Sequence, residues 1–179
     1  MRCRAALLVA LVVAVASVLP ARAADPPGSE TVARRATIAG ELTITRLGDD
    51  VFAGPFRIAL DDRPVIETDN DKPVVGMPIP RILTSFRDRL APYDEIVVLQ
   101  QSTAGNACNG GPIWSLGLMR SGAFTVSEPI DFCGGADPVI ERRGGAIRLT
   151  FPGGPPNHGT EPVPTEIWQF KNGKARQIK

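Results

Sequence analysis

Three side chains beyond the first few residues are of types that do chemistry near neutral pH: Cys108, Cys133 and His158. A thiol becomes a nucleophile when a base sits beside it, and His158 is the single imidazole of the chain. The local signatures of cysteine proteases are missing around both thiols, and no Cys-x-x-Cys redox pair occurs. Instead, two glycines follow each thiol closely, in Cys108-Asn109-Gly110-Gly111 and Cys133-Gly134-Gly135. Glycine lets a chain turn sharply and lets another segment approach. The pattern therefore favours a disulfide between Cys108 and Cys133 over a catalytic thiol. Such a bridge closes a loop of about 25 residues, for which chain entropy gives roughly 3–3.5 kcal/mol of stabilisation.

Metal chemistry has few donors here. Zinc and copper sites need several nitrogen or sulfur ligands, and one His with two bonded sulfurs does not supply them. Asp49, Asp50, Asp61, Asp62, Asp69 and Asp71 crowd one third of the chain. Asp69-Asn70-Asp71 begins like a calcium loop, but Pro73 stands where the third ligand belongs and Gly76 is misplaced. Turn closure by Asp and Asn side chains accounts for this cluster better. The sequence thus predicts no metal and no cofactor. Glu128, Asp131, Asp137 and Glu141 flank Cys133, and a pair for glycoside cleavage is defined only by separation in space.

Contact chemistry is better supplied. Asn106 and Asn109 lie in the glycine-rich stretch around Cys108, and His158 and Glu161 lie in a long connection, residues 153–164. These four are the candidate binding-loop residues. Connections of that length are often functional or loose. Trp114 and Trp168 are anchors for a partner if exposed, and core residues otherwise. Lys171, Lys174, Arg176 and Lys179 form a basic end suited to an anionic surface, or to blunting a sheet edge.

The elements that must hold these residues read as short strands. Leu42 and Ile44 alternate with polar residues before Gly48-Asp49-Asp50. Phe56 to Leu60 and Val65-Ile66 flank Asp61-Asp62 as a hairpin, with Pro64 confining the second run to an edge. Ile82, Phe86 and Leu90 recur at a spacing of four between Pro78, Pro80 and Pro92, which predicts a short helix over about 80–90. Ile96-Val97-Val98-Leu99 is apolar on both faces and predicts a strand covered on each side. Trp114, Leu116 and Leu118 alternate, Ser121-Gly122 turns, and Phe124 and Val126 return. Val139 to Arg142 meets Ala146 to Phe151 across Gly144-Gly145, with Ile147, Leu149 and Phe151 on one face and Arg148 and Thr150 on the other. Trp168 and Phe170 precede Asn172-Gly173, a strong hairpin signal, and Ala175 to Ile178 returns. Three of these hairpins resemble parts of propeller blades but share no period.

About eight to ten strands joined by tight turns predict a mainly-β fold, an antiparallel sandwich or small open barrel with one short helix and one disulfide.

The first residues decide the compartment. Arg2 and Arg4, the apolar run from Ala5 to Leu19, Pro20 and Ala21-Arg22-Ala23 form a secretory signal with cleavage after Ala23. The domain expectation is a signal peptide over 1–23, a flexible leader over 24–36, and one β-rich domain over 37–179. The location expected is periplasmic or secreted, where thiols oxidise. Of 179 residues, 156 then remain, with 17 Lys+Arg against 19 Asp+Glu. A protein binding nucleic acid needs a basic excess, so nucleic acid is not an expected partner. After cleavage no apolar run reaches the ~20 residues of a membrane-spanning helix.

These readings predict a non-catalytic binding or accessory protein of the bacterial cell envelope, of inhibitor or immunity type, with a protein or envelope component as partner. The alternative is a small periplasmic hydrolase using His158 with a carboxylate such as Glu161. A purely structural envelope component is a third reading.

Overall fold

A computed structural model of the protein describes residues 24–49, 55–67, 80–101, 112–130, 137–155 and 161–179. The described residues form twelve strands and no helix. They are β1 (Glu30–Thr37), β2 (Gly40–Arg46), β3 (Phe56–Leu60), β4 (Arg63–Glu67), β5 (Arg81–Leu90), β6 (Tyr93–Gln100), β7 (Ile113–Leu118), β8 (Phe124–Val126), β9 (Val139–Arg143), β10 (Ala146–Phe151), β11 (Glu166–Lys171) and β12 (Lys174–Gln177). Each consecutive group of four makes one antiparallel sheet in chain order: β1 to β4, β5 to β8 and β9 to β12. The mainly-β, antiparallel expectation holds. None of the three sheets closes into a barrel.

The sheets form three layers. Leu42, Ile44, Phe56, Ile58 and Leu60 of the first sheet pack against Val97, Leu99, Leu116 and Leu118 of the second. On its opposite face the second sheet packs Leu90, Tyr93, Ile96, Val98 and Ile113 against Ile147, Leu149, Phe151 and Phe170 of the third. Alternate residues of β6 therefore serve different cores, as strand alternation requires. This is why Ile96-Val97-Val98-Leu99 is apolar without interruption. The outer sheets, buried on one face, alternate instead: Ile147, Leu149 and Phe151 are buried while Arg148 and Thr150 are half-exposed.

The turns follow from residue type. Asn172 and Gly173 both have positive φ, 52° and 79°, the arrangement of a two-residue hairpin whose twist matches its strands. Gly173 also has a packing reason, since a Cβ there would lie 2.6 Å from the Tyr93 hydroxyl. The Tyr93 ring covers Gly117, where a Cβ would lie 2.6 Å from ring carbons, and stacks on Phe170 at 6.2 Å between centroids. One aromatic side chain thus joins the second sheet to the third across two glycines.

Residues 80–90 are not helical, which corrects the helix expected there. Arg81–Leu90 is β5, paired antiparallel with β6. A spacing of four is also an even number of strand residues, so Ile82, Phe86 and Leu90 fit either period. What decides is β6, whose ladder pairs with the segment from Arg81↔Gln100 to Leu90↔Tyr93. A bulge between Ile82 and Thr84 then shifts the phase. Ile82 packs into the first core, whereas Phe86 and Leu90 belong to the second, so the apparent single stripe divides.

The segment read as a leader, 24–36, contains most of β1. Its pairing with β2 runs from Glu30↔Arg46 to Thr37↔Gly40. Only Ala33 of this strand packs on the first core, so the sequence carries almost no apolar pattern there. The β1–β2 hairpin is clipped to the second sheet by Glu95, which is fully buried. Its Oε2 accepts hydrogen bonds from the Ile38 amide at 2.8 Å and from Arg87 Nε at 3.2 Å. Arg87 Nη2 also donates to the Ala36 carbonyl at 3.3 Å.

Candidate binding faces

Stacking three sheets leaves two outer faces for contact with other molecules. They are built from the same kind of strands and differ in chemistry.

On the first sheet, outward positions form cross-strand rows: Thr31 beside Thr45 and Arg57, Arg34 beside Thr43 and Ala59, and Glu41 beside Ala36. With Asp25, Asp61 and Asp62, five of these side chains (Thr31, Arg34, Glu41, Thr43 and Thr45) line a hollow of about 320 Å³. Its charges are largely spent on one another. Arg34 pairs with Glu41 at 2.9 Å, and Arg57 pairs with Asp25. The Thr31 and Thr45 hydroxyls lie 3.3 Å apart. Asp61, at φ 44°, accepts the Glu41 amide at 2.7 Å, which is the turn chemistry expected of this Asp pair. Thr45 and Ala59 are buried although they point outward, so this face is partly covered.

On the third sheet one row runs across all four strands: Glu141, Arg148, Gln169 and Arg176. A second row places Arg143 beside Ala146 and Lys171 beside Lys174. Gln169, Lys171, Asn172, Lys174 and Arg176 line a hollow of about 500 Å³. Among the described residues, Glu141 is the acid in these two rows, and it pairs with Arg143 at 2.9 Å. Among the described residues, Lys171, Lys174 and Arg176 have no ion-pair partner. Lys171 and Lys174 stand directly opposite one another, an arrangement that costs stability when the charges are alike. The Arg148 Nε is buried and makes no hydrogen bond.

Of the residues singled out from sequence, Asn106, Asn109, Cys108, Cys133 and His158 lie outside the described residues. Glu161 is exposed, at the start of the last described segment. The stems of the 153–164 connection are pinned: Gly154 and Val163 form a bridge, and the Gly153 amide donates to Thr165 Oγ1 at 3.1 Å. Trp114 and Trp168 are packing residues. Trp114 lies against the first core and Trp168 against the second, where its Nε1 donates to Glu166 at 2.9 Å.

The basic face was legible in part, as a terminal group of Lys171, Lys174, Arg176 and Lys179. Its extension to Arg143 and Arg148 was not, because those residues belong to the preceding hairpin. Only the β10–β11 pairing brings Arg148 beside Gln169.

No family model, no curated protein sequence and no solved structure matches this chain.

Proposed function

We propose that the chain is an exported, non-catalytic binding domain of the bacterial cell envelope. In this reading residues 1–23 are removed as a signal peptide, and the outer face of the third sheet is the working surface. The carrying observation is the set of three cations, Lys171, Lys174 and Arg176, around one hollow with no ion-pair partner among the described residues. The inner face of the sheet beneath is anchored in the second core through Ile147, Leu149, Phe151 and Phe170. Binding surfaces work best when held on such scaffolds.

A Cys108–Cys133 disulfide belongs to the same proposal. Gln101, at the start of the connection carrying Cys108, donates its amide to Pro112 at the far end of that connection, at 2.9 Å. Ile113 and Ile130 exchange backbone hydrogen bonds of 3.0 and 2.8 Å. The segment carrying Cys133 begins at Ile130, so both cysteine-bearing segments leave the second sheet from neighbouring positions. Three or four residues from either stub can span the distance to the other.

The test is recovery of the protein from a periplasmic extract. The expected product starts at Ala24, is two hydrogens lighter than its reduced form, and shows no thiol on labelling after unfolding. A single stoichiometric partner should accompany it and be lost on combined Lys171→Glu, Lys174→Glu and Arg176→Glu exchange. An intact N-terminus, two labelled thiols, or a turnover abolished by His158→Ala would overturn the reading.

A further inference from the structure

We infer that the hollow on the third sheet is a site for an acidic saccharide, one bearing carboxylate or phosphate groups on successive rings. This rests on the proposal above that the third sheet is a binding surface, and names the ligand class.

The cations are not explained by protection of a sheet edge. Lysines on an edge strand deter pairing with other chains. Lys174 and Arg176 lie on the edge strand β12, but Lys171 lies on β11 and Arg148 on β10, both paired on two sides. The charges occupy a face. Within it, Lys171 opposes Lys174, and the next outward pair is Gln169 opposite Arg176. Outward positions repeat every ~7 Å along a strand, and neighbouring strands lie ~4.8 Å apart. The site therefore presents cations at two levels along the hairpin, separated by about the length of one sugar ring. A compact single anion uses only one level.

The remaining lining groups are amides. Gln169 and Asn172 carry both donor and acceptor atoms and line the same hollow as the cations. Amides suit hydroxyl groups, which donate and accept. Lysine and arginine supply charge-assisted bonds to carboxylate or phosphate oxygens. Together the set matches a ligand with both hydroxyls and anions. A volume near 500 Å³ is of the size that holds a small ligand rather than one ion. At about 320 Å³, the hollow of the first sheet does not compete for such a ligand, because Arg34 and Arg57 are already paired with Glu41 and Asp25.

The experiment is calorimetric titration of the mature chain with oligogalacturonate, with inorganic phosphate, with neutral dextran oligomers, and with vesicles of phosphatidylglycerol and phosphatidylcholine. Oligogalacturonate should bind with an affinity that falls at least tenfold between low and physiological salt. Lys171→Glu combined with Arg176→Glu should abolish binding, while Arg34→Glu combined with Arg120→Glu, an exposed arginine after β7 that pairs with Asp94 at 3.4 Å, should leave it within twofold at the same change in net charge. Gln169→Ala should weaken oligogalacturonate at least threefold. Far-UV circular dichroism confirms that each variant is folded. Equal binding by both double variants would overturn the inference, as would phosphate or vesicle binding without saccharide binding. If no probe binds but the triple exchange still removes a co-purified partner, the ligand class fails and the binding-domain reading survives. If saccharide binds yet His158→Ala abolishes a turnover, the site stands and the non-catalytic reading fails.

Discussion

The two outer sheets share a four-stranded meander and a buried inner face, yet they treat charge in opposite ways. The first sheet closes its charges internally, with Arg34 on Glu41, Arg57 on Asp25, and Asp61 on a backbone amide. The third leaves Lys171 opposite Lys174 and places Arg176 in the adjacent row, with Glu141 committed to Arg143. Identical architecture sets no rule for the outward positions, because those side chains do not decide the fold. They are free to be neutralised in one place and kept available in another.

The comparison can be broken first at its base, the buried attachment of each outer sheet. Phe170→Ala removes a fully buried ring stacked on Tyr93, and should cost about 3–5 kcal/mol. Ile58→Ala on the first sheet should cost about 2–5 kcal/mol. Denaturant unfolding should show a single transition for both, at unchanged slope, if the three layers unfold together. Two resolved transitions in one variant would show that its outer sheet is a separate unit.

A smaller effect is expected where the first sheet is clipped to the second. Glu95→Ala strands the Ile38 amide and leaves Arg87 without its carboxylate. The loss should be about 1–3 kcal/mol by chemical denaturation. Hydrogen exchange should show it as faster exchange in the β1–β2 hairpin, with the third sheet unaffected.

The smallest effects sharpen the contrast by sign. Lys171→Glu replaces a repulsive pair with an attractive one, and should stabilise by roughly 0.2–1 kcal/mol. Arg34→Glu breaks an exposed pair, and should destabilise by no more than about 1 kcal/mol. Both shifts should shrink in high salt, as thermal melts at two ionic strengths will show. Shifts of equal sign would mean that the two faces do not differ in the way described.

Much of the strand content was legible because the outer sheets are half-buried and their residues alternate. β10 is the clearest case, with Ile147, Leu149 and Phe151 inward. β6 was legible for the opposite reason, since an unbroken apolar run belongs to a strand covered twice. β5 was misread because its spacing of four is shared by helix and strand, and a bulge conceals the change of face. β1 escaped notice because it is an edge strand with one core contact, Ala33. Cys108, Cys133 and His158 lie outside the described residues, so the bridge proposed between the two cysteines rests on sequence. The basic face was visible only as a terminal cluster of three lysines and one arginine.

The sequence alone determined where strands alternate and where hairpins turn, because these depend on neighbours a few residues apart. Tertiary structure decided that three meanders stack as layers, that Arg81–Leu90 extends as a strand, and that Arg148 stands beside Gln169 and Arg176. The physical reason is the range of the interaction. Turn geometry and period are local, whereas the covering of a face and the grouping of charges depend on which distant strand comes to lie alongside.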